Sequence, residues 1–143
     1  TVVTRLVSEL QRVGLSVGVV KSDKHGFHMD HEGTDTDLAY KAGANAVAIA
    51  GPNETAIRIR TKEQSSLYDL TQHMPVDIVI LETRSQGIAP IIEVTKEGHT
   101  EELISDAMDR VATIEIDKLD QDVPELVRHI QEMMRCLNGR RYC

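Results

Sequence analysis

The chain has 143 residues, of which 41% are hydrophobic and 27% charged, a composition typical of one globular domain rather than a disordered tail or a fibre. Its formal net charge of -7 and its content of one Phe, three Tyr and no Trp disfavour both phosphate-backbone binding and base stacking. No apolar run approaches the roughly 20 residues that cross a bilayer, and no signal peptide is recognisable. We therefore expect one cytoplasmic domain over residues 1–143, without nucleic acid or membrane as partner.

The first segment of the chain has the pattern of an amphipathic helix. Residues 2–13 carry apolar side chains at helical spacing, Gly14 is a natural stop, and residues 16–21 form an apolar run that predicts a short buried strand. The first N–H groups of a helix need partners, and no residue before Thr1 is present to cap them. We therefore expect the domain to begin upstream of this sequence.

The rest of the chain alternates between helical and strand patterns. Helices are predicted at 34–42, 65–73, 100–108 and, with Pro124 in its first turn, 124–137; strands at 46–50, 55–60, 76–82, 89–94 and 111–116; and a turn at 96–98. The strand at 55–60 alternates strictly, which suits a half-exposed strand antiparallel to its neighbour, whereas 76–82 is apolar enough to be covered on both faces. This order predicts an α/β fold, a three-layer α/β/α sandwich around a mostly parallel sheet whose ligands bind at the carboxyl ends of the strands.

A polar loop from Ser22 to Gly33 holds the densest set of reactive side chains. It contains His25, His28, His31 and Asp30, all of which are admissible metal ligands, but their spacing matches no standard zinc pattern. Three interpretations stay open: a metal-binding module, a plain solvated loop, and a loop that contacts phosphate or a partner.

Glu82 ends the most apolar strand with a carboxylate. In nucleotide-binding sheets an acidic residue at this point can hold the water shell of Mg²⁺, although many strands end in a charge simply because they reach solvent. Such an ion lies between phosphates, which need a glycine-rich loop in front of a helix, and the sequence contains no such loop. An amphipathic helix followed by a parallel strand is what succeeds a Gly-x-x-x-x-Gly-Lys-Ser/Thr loop. We therefore expect the phosphate loop, and a strand leading into it, ahead of Thr1.

Several short segments, taken together, resemble one known family. They are Val19–Lys21, His25–Asp30, Gly33–Thr36, Lys41–Ala44, the acidic-ended strand Asp77–Glu82 and the following strand Pro90–Val94. In this order they are similar to the molybdopterin-guanine dinucleotide biosynthesis adaptor proteins (MobB), over roughly residues 1–94. The resemblance implies a P-loop NTPase-like domain, typically a homodimer, that binds GTP and Mg²⁺. It also implies an adaptor, at most a weak GTPase, that assists a molybdenum cofactor guanylyltransferase or other cofactor-assembly proteins.

The resemblance also implies a set of site residues. Members usually show a Gly-Lys-Thr-Thr motif, whose last Thr matches Thr1. Carried over by position, the metal ligands are Asp30 and Glu82, and the nucleotide- and phosphate-binding residues are Thr1, Lys21, Asp35 and Thr36. Asp117, after the strand at 111–116, is a candidate acceptor for the guanine base, although no Asn-Lys-x-Asp motif accompanies it.

Three positions depart from the family pattern, and two alternative functions stay open. Thr34 stands where a Lys is common, Ser22 where a His or Arg is common, and Thr83 where a Gly is usual. One alternative is a P-loop kinase or phosphotransferase of the same fold, in which Asp30 or His28 activates an acceptor. The other is a metal-binding module built on the loop histidines.

Overall fold

The computed structural model describes residues 1–84, 89–96, 103, 105 and 109–137. Its elements are α1 (Val2–Arg12), β1 (Val17–Lys21), α2 (Asp35–Lys41), β2 (Ala46–Ala50), β3 (Thr55–Ile59), α3 (Leu67–Gln72), β4 (Ile78–Glu82), β5 (Ile91–Thr95), β6 (Arg110–Glu115), a 3-10 turn (Ile116–Lys118) and α4 (Leu119–Leu137). The predicted turn at 96–98 and helix at 100–108 fall almost wholly outside the described residues. Among the helices that are described, none has the length and apolar character needed to span a membrane.

In the described part of the chain the strands pair as three two-stranded ladders. β1 runs parallel to β4, with Val17 opposite Ile78 and Lys21 opposite Glu82. β5 runs parallel to β6, and β2 and β3 form the antiparallel hairpin that their sequence pattern predicts. Parallel strands joined through helices confirm the predicted α/β class.

The two parallel ladders point in the same direction and are separated. α1 begins at Thr1, which lines a pocket with the residues just after the carboxyl end of β6, and its end leads through Leu15 into the amino end of β1. α1 therefore runs opposite to both β6 and β1. Across the described strands, the Cα atoms of the two ladders lie more than 8 Å apart except at isolated pairs, whereas paired strands lie about 4.8 Å apart. In the described part of the chain, the two ladders are therefore not paired with each other.

One apolar core serves both ladders. Its most deeply buried side chains come from α1, β6 and α4: Leu6, Leu10, Ile114, Val123, Leu126, Val127 and Ile130. Ile78 and Ile80 of β4 and Ile92 of β5 pack against this cluster from the two ladders. The apolar stripes on α1 and α4 have helical spacing, so each helix turns one face toward the sheet and the other toward solvent.

Two expectations about element ends and burial are wrong. Thr1 caps α1 itself, because its Oγ1 accepts the N–H of Thr4 at 3.2 Å, so the helix start does have a partner. β4 is half-buried along its apolar residues instead of being covered on both faces. Among the described strands it pairs with β1 alone, which explains why its apolar side chains are less enclosed than their sequence suggests.

The last helix also begins earlier than its proline suggests. α4 starts at Leu119, so Pro124 lies inside it, at the loss of one backbone hydrogen bond. Two features favour the earlier start: carboxylates in the first turn stabilise a helix N-terminus, and Asp122 accepts the N–H of Glu115 at 3.0 Å. Val123, next to the proline, is fully buried, so tertiary packing keeps the helix intact there.

Candidate nucleotide-binding site

Lys21 and Glu82 lie side by side at the carboxyl ends of β1 and β4. They are register partners, and Lys21 Nζ lies 3.9 Å from Glu82 Oε2. The N–H of Ser22 donates to the Glu82 carbonyl at 3.1 Å, which extends the ladder one residue into the polar loop. Both charged side chains are exposed, so their ion pair adds little stability and both groups are accessible to a ligand.

Asp30 is fixed by hydroxyl groups at the start of α2. Thr36 Oγ1 donates to its Oδ2 at 2.6 Å, and Thr34 Oγ1 donates to its Oδ1 at 3.0 Å. The hydrogen bond from Thr36, aided by that from Thr34, holds the pKa of Asp30 below its ordinary 3.8. Asp35, exposed in the first turn of α2, follows directly after Thr34. The carboxylate of Asp30 is therefore ionised and held in position at neutral pH.

Asp37 is a buried charge that the sequence interpretation missed. It is only 7% exposed and accepts the N–H of Gly33 at 2.9 Å, while its carboxylate lies 2.8 Å from Lys41 Nζ and 4.0 Å from Arg58. The hydrogen bond from Lys41, and then that from Gly33, lowers the pKa of Asp37, and the same contact raises the pKa of Lys41. The signal was present, since Thr34 and Asp37 have capping-box spacing, with Thr34 Oγ1 accepting the N–H of Asp37.

A pocket of about 540 Å³ opens where the N-terminus of α1 meets the end of β6. It is lined by Thr1, Arg5, Ile116, Asp117, Lys118, Leu119, Asp120 and Gln121. This volume lies within the range of about 300–1,000 Å³ found for small-molecule sites. Arg5 donates to Asp120 at 2.9 Å across the pocket. The pocket thus combines a helix N-terminus and cationic side chains, which suit an anion, with carboxylates, which suit hydrogen-bond donors.

The structure brings the predicted site residues together in three groups. Lys21 meets Glu82, Asp30 meets Thr36 beside Asp35, and Thr1 meets Asp117 at the pocket. Within the described part of the chain, no hydrogen bond or ion pair connects Asp30 to Glu82. Arg5, Lys118 and Gln121 were missed, because their placement depends on where α1 starts relative to β6 and not on any local motif.

The donor atoms of the candidate metal ligands indicate which metal ion they suit. Over the ranges that the structure describes, no three His, Cys, Asp or Glu side chains converge on a point that could hold a metal. His25, His28 and His31 therefore form no such cluster there, so nothing in their placement favours the metal-binding module. Asp30 and Glu82 offer carboxylate oxygens, and Mg²⁺ is usually held by one or two carboxylates together with phosphate oxygens and waters. Their donor chemistry fits Mg²⁺.

The fold and the polar groups at the carboxyl edge of the sheet define a class: a mostly parallel α/β protein with a P-loop NTPase-like arrangement of strands and helices. A family model described as molybdopterin guanine dinucleotide synthesis protein B (MobB) matches residues 1–117. The chain belongs to this family.

Relatives and solved structures agree with this assignment. The molybdopterin-guanine dinucleotide biosynthesis adapter protein of Haemophilus influenzae is 28% identical over 152 residues, covering 99% of this chain and 85% of that protein. A crystal structure of molybdopterin-guanine biosynthesis protein B (MobB) matches with a TM-score of 0.60 and 23% identity, over 94% of this chain and 89% of that one. A MobB homologue from Bacillus stearothermophilus has a TM-score of 0.60 and 16% identity, over 92% of this chain and 88% of that one. At these identities the solved structures establish the shared fold.

Proposed function

We propose that this chain is a guanine-nucleotide-binding adaptor in the synthesis of molybdopterin guanine dinucleotide, a homodimer that assists a molybdenum cofactor guanylyltransferase or other cofactor-assembly proteins in the cytoplasm. Membership of the MobB family supports the pathway, and the Haemophilus influenzae relative is itself described as an adapter. The observation that carries nucleotide binding is the pocket that joins Thr1 to Asp117.

The phosphate side of the proposal rests on the N-terminus of α1. The positive end of its dipole favours an anion, and Arg5 adds a cationic side chain one turn further on. The phosphate loop is proposed to precede Thr1. What supports a strand leading into that loop is that the two parallel ladders are not paired with each other in the described part of the chain, so each offers an unpaired edge for such a strand.

The base side rests on Asp117. Guanine presents two kinds of N–H donor on one edge, its ring N1–H and its exocyclic amino group, and one carboxylate accepts from both. Adenine offers a ring acceptor at the corresponding position, so a carboxylate disfavours it. Asp117 thus supplies the chemistry that selects guanine from within the pocket.

The remaining candidate residues lie on the Mg²⁺ and phosphate side. Asp30 and Glu82 would hold Mg²⁺, which when bound neutralises phosphate charge. Lys21 donates to phosphate oxygens, and Thr36, beside Asp35, holds the carboxylate of Asp30 in position through its hydrogen bond. Because Asp30 and Glu82 make no direct contact in the described structure, we propose that they act through phosphate oxygens and waters.

Titrations with GTP and with xanthosine triphosphate, combined with a substitution at Asp117, test this proposal in the full-length protein. We expect Mg²⁺-dependent GTP binding in a calorimetric titration. Asp117→Asn weakens GTP binding by at least ~10-fold, because each hydrogen bond to a charged group contributes about 1.5–3 kcal/mol. The same change favours xanthosine triphosphate, whose base carries a carbonyl where guanine carries an amino group. Asp120→Asn is the matched control, since Asp120 lines the same pocket and its carboxylate accepts a hydrogen bond from Arg5.

Two results would overturn the proposal. Absence of GTP binding by the full-length protein with Mg²⁺ present removes the nucleotide role. Turnover of a small phosphoryl acceptor at ordinary kinase rates of about 1–100 per second would replace the adaptor with a phosphotransferase. Equal effects of Asp117→Asn and Asp120→Asn on GTP and xanthosine triphosphate would remove Asp117 from base recognition.

A further inference from the structure

The pocket that contains Asp117 is lined by two segments of the chain. Thr1 and Arg5 come from the start of α1, and the remaining lining residues are the consecutive stretch 116–121, between the end of β6 and the start of α4. Ile116 is a large apolar side chain and yet is 49% exposed. Among the lining residues that the structure describes, none is aromatic. A flat ring that enters this pocket therefore lies against aliphatic side chains, with a carboxylate at its edge.

The edge of the ring that Asp117 recognises is not unique to guanine. The proposed role of Asp117 is to accept hydrogen bonds from a ring N–H and from the neighbouring amino group. A pterin carries the same edge, because its pyrimidine ring also has an N–H between a carbonyl and an amino-bearing carbon. The two compounds differ in the second ring, which is six-membered in a pterin and five-membered in guanine. A carboxylate that selects guanine through this edge accepts a pterin as well.

We propose that this pocket also binds a pterin that carries a phosphate group, in competition with the guanine nucleotide. The proposal rests on the role of Asp117 in the proposed function and adds a second class of ligand to the same site. Molybdopterin guanine dinucleotide, the compound in the description of the family, joins a phosphate-bearing pterin to a guanine nucleotide. The pocket thus recognises either ring system of that dinucleotide, one at a time.

The size and the apolar surface of the pocket suit a flat bicyclic ring. Its volume of about 540 Å³ lies within the range found for small-molecule sites, and a pteridine is nearly equal in size to a purine. Ile116 and Leu119 provide apolar surface for the faces of the ring. Leu119 is half-buried and packs against the apolar core, so this part of the lining is held in place.

Asp117 is positioned to recognise a ligand while it keeps its contacts within the protein. It lies in the 3-10 turn Ile116–Lys118, between β6 and α4, and both elements are anchored in the core through buried residues such as Ile114 and Val123. Its side chain is exposed, and a carboxylate offers about four lone-pair sites on its two oxygens. Two N–H donors of a ring can therefore be accepted alongside a contact to the protein.

Arg5 and the start of α1 supply positive charge for the phosphate. Arg5 donates to Asp120 at 2.9 Å across the pocket, and Asp120 is 90% exposed. An ion pair so open to solvent contributes little stability, so a phosphate, with more charge and three acceptor oxygens, displaces the Asp120 carboxylate at little cost. Glu9 lies 3.8 Å from the Arg5 Nε on the same helix and keeps the guanidinium close to the pocket.

Fluorescence anisotropy of two pteridine probes with the full-length protein tests the shared edge. The probes are hydroxymethylpterin phosphate and the matching lumazine, in which a carbonyl replaces the amino group. We expect the pterin to bind at least ~10-fold more tightly, because the lumazine carbonyl turns lone pairs, and not N–H donors, toward the carboxylate. Asp117→Asn reverses this preference, since its amide donates to the carbonyl. Asp120→Asn, in the same pocket, keeps the preference of the parent chain for the pterin.

An unphosphorylated probe, hydroxymethylpterin, tests the role of Arg5. We expect Arg5→Gln to weaken binding of the phosphorylated pterin by about 10-fold and to change binding of hydroxymethylpterin by less than about threefold. Arg12→Gln is the matched control, because Arg12 lies on the same helix and pairs with Glu9 but does not line the pocket. Equal losses for the two probes in Arg5→Gln would remove Arg5 from phosphate binding.

The pterin proposal and the guanine proposal fail separately. We expect the apparent dissociation constant for GTP to rise linearly with the concentration of hydroxymethylpterin phosphate. A protein that binds GTP but binds no pterin, or binds both at once, overturns the pterin site and leaves the proposed function standing. Pterin binding that does not respond to Asp117→Asn also overturns it. A protein that prefers the pterin to the lumazine but binds no GTP keeps the pterin site and removes the proposed function.

Discussion

Two regions of this protein are held together by different physical means. Between α1, α4 and β6, apolar side chains such as Leu10, Ile114 and Val123 are almost completely buried. Around α2 and the hairpin, the contacts are polar instead: Asp37 pairs with Lys41 and Arg58, and the ring of Tyr40 lies 3.7 Å from the guanidinium of Arg58. Isoleucines occur in both regions, but those of the hairpin face solvent.

The comparison distinguishes two roles: apolar burial stabilises the domain, and polar contacts position the hairpin. Burial of apolar surface supplies most of the free energy of folding, whereas the desolvation cost of a buried carboxylate offsets much of what its ion pairs return, so these polar contacts mainly fix orientation. The α1–α4–β6 region therefore sets the stability of the domain. The hairpin is positioned on α2 by these polar contacts, and its other side is exposed to solvent.

The largest expected effect on stability comes from truncating one apolar side chain in each region. Leu10→Ala removes a fully buried side chain from the helical layer and should lower the free energy of unfolding by about 2–5 kcal/mol. Ile49→Ala, of comparable chemistry on the exposed hairpin, should change it by less than about 0.5 kcal/mol in the monomer. Urea unfolding at a protein concentration below dimer formation measures both. Similar losses for the two variants would contradict the division into a stabilising core and a positioned hairpin.

The sequence predicted those parts of the fold that local periodicity determines. α1, β1 and the antiparallel β2–β3 hairpin all follow from spacing within about a dozen residues. The half-burial of β4 could not be predicted, because it depends on whether a second strand lies beside it. The early start of α4 was missed for a similar reason, since the buried neighbour of Pro124 and a carboxylate contact to β6 override the preference of proline for a first turn.

The residues of the candidate site also divide into those that local sequence patterns predict and those whose placement depends on contacts between distant segments. Lys21 and Glu82 were placed correctly at one edge, because the carboxyl ends of parallel strands meet there. Asp117 was predicted only as a candidate acceptor for the guanine base. The pocket that it lines could not be predicted, because it forms where α1 begins beside the end of β6, a contact between distant parts of the chain. Asp37 was predictable in principle from its spacing to Thr34, but its burial comes from Arg58 on the hairpin.

A second test concerns the amino ends of β1 and β4. Asp77 accepts hydrogen bonds from the Ser16 hydroxyl at 2.6 Å and the Ser16 N–H at 2.8 Å, and the hydroxyl is the main cause that lowers the pKa of Asp77 below 3.8. A carboxyl whose pKa is depressed in the folded state stabilises the protein above its unfolded pKa, and this contribution disappears as the pH falls through the folded pKa. Stability should therefore decline as the pH drops below about 4.

Replacing the hydroxyl isolates this contribution. Ser16→Ala should move the pKa of Asp77 back toward 3.8 and flatten the acid end of the stability profile, with a smaller loss at neutral pH than Leu10→Ala. Carboxyl-detected NMR titration and urea midpoints between pH 7 and about pH 2.5 measure the two effects. Ser66→Ala is the control, because Ser66 caps α3 by accepting the N–H of Asp69 and does not touch Asp77. An unchanged Asp77 titration in Ser16→Ala would show that the hydroxyl does not set its pKa.

The smallest expected effect, and the one most specific to the hairpin, comes from replacing Tyr40. Its ring lies 3.7 Å from the guanidinium of Arg58 and 4.2 Å from that of Arg60, and Arg60 also donates to its backbone carbonyl at 2.8 Å. Tyr40→Leu removes both ring contacts, each of about 0.5–1 kcal/mol at an exposed site, but keeps the backbone hydrogen bond. Tyr40→Phe retains an aromatic face and should unfold near the parent midpoint. If ring contacts orient the hairpin, Tyr40→Leu speeds amide hydrogen exchange in β2 and β3 while exchange in α1 and α4 stays unchanged; equal acceleration in both regions would mean that the hairpin and the core unfold as one unit.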